Sequence, residues 1–122
     1  MGAALLVFVG GGLGALLRHL AGRLTLMLWG AGFPAGTMIV NVAGSLAMGL
    51  LAGWFAAHPG VGQPTRLFLT TGLLGGFTTF SAFSLDALAL YQRGQVGLAI
   101  GYVALSVLLS LVAIAIGYWL VR

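Results

Sequence analysis

Polar positions along this chain are sparse and clustered, and the apolar stretches between them are long. Four stretches are predicted as helices: about Ala3 to Leu28, Ala35 to Ala57, Arg66 to Gln92 and Val96 to Val121. Each exceeds the ~20 residues needed to cross ~30 Å of hydrocarbon. The separators carry turn chemistry: GAGFPAG with Pro34, HPGVGQPT at 58–65, and RGQ at 93–95. Connections this short make neighbouring helices antiparallel hairpins and leave no room for a soluble domain. The expectation is one all-α integral membrane domain over 1–122, with both termini on the same side.

Polar groups inside such segments are costly and call for a partner or a task. In the second segment Thr37, Asn41 and Ser45 stand four apart, on one helix face. Ser45 reads as bonding a carbonyl of its own helix. Asn41 offers two donors and two acceptors that its own helix cannot satisfy, so it either joins two helices or faces a wet path. Tyr102, Ser106 and Ser110 repeat the step of four in the last segment. They suggest either a lined track or hydrogen bonds between helices.

The third segment carries the stretch GLLGGFTTFSAFSLD at 72–86. Gly75-Gly76 followed by Thr78-Thr79 is poor helix sequence, which predicts a helix broken near its middle. A break frees backbone carbonyls and N–H groups, which a cation or an anion can satisfy. Phe80 and Phe83 would project from one side of the half-helix beyond it, either as lipid-facing or packing bulk or with their positive ring edges toward a dehydrated anion.

Charge changes the picture in two ways. Only 5% of the 122 residues are charged, against 61% apolar, where a soluble domain carries about 25% charged residues. The five basic residues are arginines at 18, 23, 66, 93 and 122. Their scatter offers no patch for nucleic acid. Arg66 and Arg122 lie on the side of the termini, Arg23 and Arg93 on the other, so the Lys/Arg bias that sets orientation is close to nil. That balance fits either a chain inserting both ways or one whose orientation another determinant fixes. Arg18, deeper in the first segment, either snorkels or places a fixed positive charge at a vestibule. The lone carboxylate, Asp86, reads most simply as an ion pair with Arg93.

With no cysteine, two separated histidines and one carboxylate, the chain excludes thiolate chemistry and a usual metal site. Nothing points to an enzyme. The start MGAALLVFVG lacks the basic region of a signal peptide and has Leu6 where myristoylation needs Ser or Thr, so it reads as the first membrane helix. Gly10 with Gly14, and Gly49 with Gly53, put small residues on one face of a helix, where they permit close packing in lipid and suggest an oligomer.

GGLGALLR (11–18), GTMIVNVAGSLAMG (36–49) and GGFTTFSAFSLD (75–86) resemble, in order and spacing, the three signatures of the Fluc (CrcB) fluoride channel family. The resemblance spans essentially the whole chain. It implies an antiparallel, dual-topology homodimer in the plasma (inner) membrane, with two pores exporting fluoride passively. It also implies a structural Na+ at the dimer centre, held by backbone carbonyls matching Gly75 and Thr78. By the same resemblance Phe80 and Phe83 present ring edges to the pores and Asn41 is the pore asparagine. Thr37, Ser84, Tyr102, Ser106 and Ser110 form the polar track, and Arg18 draws anions into the vestibule. Two positions depart: Ala82 stands where threonine is frequent and Asp86 where glutamate is common.

Two other classes share some of these features. A small proton-coupled multidrug transporter needs a glutamate in its first helix, and this first helix has no acidic residue. A structural membrane subunit explains the glycines but leaves Asn41 and both hydroxyl stripes without a task.

Overall fold

The computed structural model describes residues 2–122, and among them every regular element is helical. Helix α1 spans Gly2–Trp29 and α2 spans Ala35–Ala57. The third membrane segment is assembled from pieces: α3 (Gln63–Leu67), a π-helical run Phe68–Leu74, α4 (Gly75–Phe77) and α5 (Phe80–Gln92). Helix α6 spans Val96–Val121. Four spans are long and apolar enough to cross a membrane: Gly2–Trp29, Ala35–Ala57, Gln63–Gln92 and Val96–Val121. The third begins three residues before the expected Arg66, because Pro64 fits the first turn of a helix, where its missing N–H is no loss.

Large apolar side chains cover the outside, among them Phe8, Leu16, Leu108 and Leu120, and few are buried. A water-soluble fold buries such groups, whereas a lipid-facing surface exposes them. The molecule is a multi-pass membrane protein.

Two left-handed glycines end helices. Gly30 (φ +76°) follows α1 and its N–H returns to Leu26 O at 2.9 Å. Gly94 (φ +79°) follows α5, with its N–H on Tyr91 O and that of Gln95 on Leu90 O, both at 3.0 Å. This pair of bonds is the Schellman arrangement. It turns the chain from α5 into α6 within three residues.

Glycines set the helix crossings. Against α1, a Cβ on Gly10 would meet Phe68 O at 2.9 Å, and one on Gly14 would strike the Leu73 carbonyl. Between α2 and α6, Cβ atoms on Gly49, Gly53 and Gly117 would each strike opposing backbone. Both glycine faces expected to serve assembly are therefore occupied within one chain. An oligomer would have to use another surface.

Candidate functional site: an interrupted helix beside a polar stripe

Between α4 and α5 the backbone leaves the helix for two residues. Thr78 (φ −88°, ψ 158°) and Thr79 (φ −152°, ψ 123°) are extended. In a continuous helix the carbonyls of Gly75 and Thr78 would accept from the N–H groups of Thr79 and Ala82. Here the Thr79 N–H donates to Asn41 Oδ1 at 2.8 Å, and the Ala82 N–H donates to Thr79 Oγ1 at 3.1 Å, an N-cap for α5. Asn41 Nδ2 returns a bond to Thr79 O at 2.9 Å. Asn41 thus satisfies both backbone groups of one extended residue. One Nδ2 proton remains beyond that pair.

Of the readings open for Asn41, the structure makes it a bridge from α2 to the interruption and also puts it on a cavity wall. A cavity of about 380 Å³ is lined by Asn41, Ser45, Thr78, Thr79, Phe80, Phe83, Ser106 and Ser110 with apolar neighbours. None of its lining residues is titratable. Ser45, read from sequence as bonding its own helix, faces this space. Ser106 is 4% exposed, and its hydroxyl has no hydrogen-bond partner. Phe80 and Phe83 meet edge to face, centroids 5.4 Å apart. Phe83 is buried, while Phe80 is 77% exposed in the single chain.

Thr79 also lines a second cavity of about 270 Å³ with Arg18, His19, Arg23 and Thr37. Thr37 in turn lines a third, of about 300 Å³, with Thr25, Phe33, Asp86 and Arg93. The stripe Thr37–Asn41–Ser45 therefore runs past all three spaces.

Other expected residues fall elsewhere. Tyr102 is fully buried and does not line the 380 Å³ cavity. Its hydroxyl donates to Asp86 Oδ2 at 3.1 Å, and its ring packs on Phe33 and Phe83 at 5.5 and 5.3 Å. Ser84 is exposed, and its hydroxyl bonds the Phe80 carbonyl of its own helix at 2.9 Å. The expected pair of Asp86 with Arg93 is corrected. Both border one cavity, but the hydrogen bond of Asp86 goes to Tyr102, whose hydroxyl reaches it from α6. Arg18 lines the 270 Å³ cavity, and its Nε–H donates to Gly76 O at 3.2 Å.

Sequence reasoning missed Thr79 as the partner of Asn41, and Phe33 beneath Tyr102. The threonine pair was a signal only for the interruption. The contact of Phe33, in the turn before α2, has no local signature.

The donor set suits Na+. Carbonyls of Gly75 and Thr78, deprived of their helical N–H partners, are oxygen ligands of the kind unwound membrane helices offer such a cation.

Known proteins resemble this chain along nearly its whole length. Residues 5–118 match the family described as CrcB-like protein, Camphor Resistance (CrcB). A relative from Nitrobacter hamburgensis, named fluoride-specific ion channel FluC 2, is 53% identical over 97% of this chain and 95% of its own. One from Rhodopseudomonas palustris strain BisB5, named fluoride-specific ion channel FluC, is 55% identical over the same shares. A third, from Hyphomonas neptunium and of the same name, is 51% identical over all of this chain and 97% of its own. With the family matched from within α1 to within α6, and relatives this similar across nearly their full length, the chain belongs to the CrcB family.

Proposed function

We propose that this chain forms a passive fluoride channel exporting fluoride across the plasma (inner) membrane. The observation that carries the reading is the 380 Å³ cavity, where amide and hydroxyl groups meet two aromatic rings and no titratable residue intervenes. A small anion shedding water needs donors and positive edges. Asn41 has a spare N–H, Ser106 an unpartnered hydroxyl, and Phe80 and Phe83 their ring edges. A proton-coupled carrier would want a carboxylate there. The sole carboxylate, Asp86, lies apart from this cavity, hydrogen-bonded to Tyr102. The names borne by the relatives point the same way.

The proposed assembly is an antiparallel homodimer of dual topology with two pores. The exposure of Phe80 supports it, since a second copy would cover that ring. So does the balance of arginines between the two ends. Gly75 and Thr78 carbonyls of both copies would hold Na+ at the centre. When bound, that ion supplies fixed positive charge and satisfies backbone oxygens that no helix bond serves. Arg18, His19 and Arg23 line the cavity through which anions would arrive.

The test is fluoride release from liposomes holding the purified protein, read with a fluoride electrode against chloride-loaded controls. Fast, fluoride-selective release without a proton gradient is expected. Silence from a well-folded, reconstituted dimer would overturn the reading and favour a structural subunit.

A further inference from the structure

Arg18 is the residue whose observed contact departs most from its expected task. A guanidinium that only attracts anions has no need of a backbone partner, yet the Nε–H of Arg18 is spent on the Gly76 carbonyl. The fold explains how it gets there. Gly11, Gly14 and Arg18 lie three and four apart, on one face of α1. A Cβ on Gly76 would strike the carbonyl of Gly11, and one on Gly14 would meet the Phe77 nitrogen at 2.7 Å, so α4 lies directly on this face. Helical side chains cover the turn N-terminal to their own Cα. Arg18 therefore reaches back over Gly14 and finds the carbonyl that the interruption has released.

Gly76 stands between Gly75 and Thr78. Successive carbonyls of a helical turn are set about 100° apart around the helix axis, so with the Gly76 oxygen on the α1 side that of Gly75 lies on a different side. Asn41 holds the next free residue, Thr79, from α2. The interruption is thus gripped by two side chains from two helices, one on each side of Thr78.

We propose that Arg18 is a positioning residue: its guanidinium fixes the Gly76 carbonyl and so keeps those of Gly75 and Thr78 in place for the central cation. This rests on the channel reading given above. The positive charge adds to the vestibule, but the hydrogen bond sets the backbone.

Neutral substitutions separate the two roles. The amide nitrogen of glutamine sits as many bonds from Cα as the arginine Nε, so Arg18→Gln keeps a donor there and removes the charge. Arg18→Met removes both. The dimer's thermal unfolding midpoint is measured in detergent across Na+ concentrations, with N-methylglucamine replacing Na+, and fluoride release is measured alongside. The expected result is that Arg18→Gln keeps the Na+-dependent rise in midpoint, while Arg18→Met needs about tenfold or more Na+, the scale of one lost hydrogen bond to a charged donor. Equal Na+ response in the parent and Arg18→Met would overturn the proposal and leave Arg18 as a charge alone. Should Arg18→Met fail to assemble, Arg18→Lys decides. It keeps the charge but carries its nitrogen one bond further out, so a Na+ response as good as that of Arg18→Gln or better would overturn positioning. A parent without any Na+ response overturns it as well, even with normal fluoride release. A parent without release overturns the channel reading instead.

Discussion

The hydroxyl of Ser106 is a polar atom that the fold does not use. Buried hydroxyls without a partner cost free energy, and their persistence asks for a ligand. Removing this one therefore has opposite consequences for stability and transport. Ser106→Ala is expected to leave the unfolding midpoint unchanged or slightly raised, within about 1 kcal/mol. Fluoride release should fall roughly three- to tenfold, the scale of one net hydrogen bond. Thermal unfolding and liposome release on the same preparation check both halves. Unchanged release would remove Ser106 from the proposed pore. At this scale the sequence was informative about chemistry and silent about partners. The stripes Thr37–Asn41–Ser45 and Tyr102–Ser106–Ser110 were legible because a step of four defines a helix face. That Asn41 serves Thr79, that Asp86 takes Tyr102 rather than Arg93, and that Ser84 bonds back to Phe80 were not. Those pairings depend on how separate helices are set against each other, which spacing along one helix does not encode.

Among the elements, glycine has two unlike uses. In the first turn of α6 a Cβ on Gly97 meets nothing within 4 Å, whereas one on Gly49 strikes the Ile114 carbonyl. Backbone of α6 cannot yield as a flexible side chain would. Gly49→Ala is expected to lower stability by about 1–3 kcal/mol, the range for overpacking a well-packed core. Gly97→Ala should raise it by up to about 1 kcal/mol through helix propensity. Unfolding midpoints of the two variants in one detergent give the comparison. Equal effects would mean that glycine here acts through propensity and not close approach. The four spans were legible from hydropathy to within a few residues at each end. The interruption was anticipated from Gly75-Gly76 and Thr78-Thr79, and the extended pair falls on the threonines. The π-helical run Phe68–Leu74 was not anticipated. A register with one more residue per hydrogen-bonded ring leaves no mark in composition, and it forms where packing favours it.

For the whole molecule, the open matter is what stands opposite the exposed Phe80. Glycine faces no longer argue for assembly, since α1 uses Gly10 and Gly14 against the third segment and α2 uses Gly49 and Gly53 against α6. What remains legible in the sequence is charge. Arg66 and Arg122 balance Arg23 and Arg93 across the two ends, and the proposed dual topology needs such an even bias. In the structure Arg66 lies over the Phe55 ring at 4.8 Å and Arg122 over Trp119 at 4.7 Å. These anchors at the end bearing the C-terminus hold the side chains without altering the count. Lysines at exposed positions in the loops and at the start of α3 should therefore decide orientation. Ala31→Lys with Gln95→Lys loads one end, and Gly60→Lys with Gln63→Lys loads the other. Each doubly substituted chain alone should insert one way and release no fluoride from cells. Co-expression of the two should restore release, because each then supplies the orientation the other lacks. Orientation is checked by one-sided labelling of cysteines introduced into the loops, in a chain that has none of its own. Release from a strictly one-way population would contradict antiparallel assembly while leaving the cavity, and the proposed path through it, within the single chain.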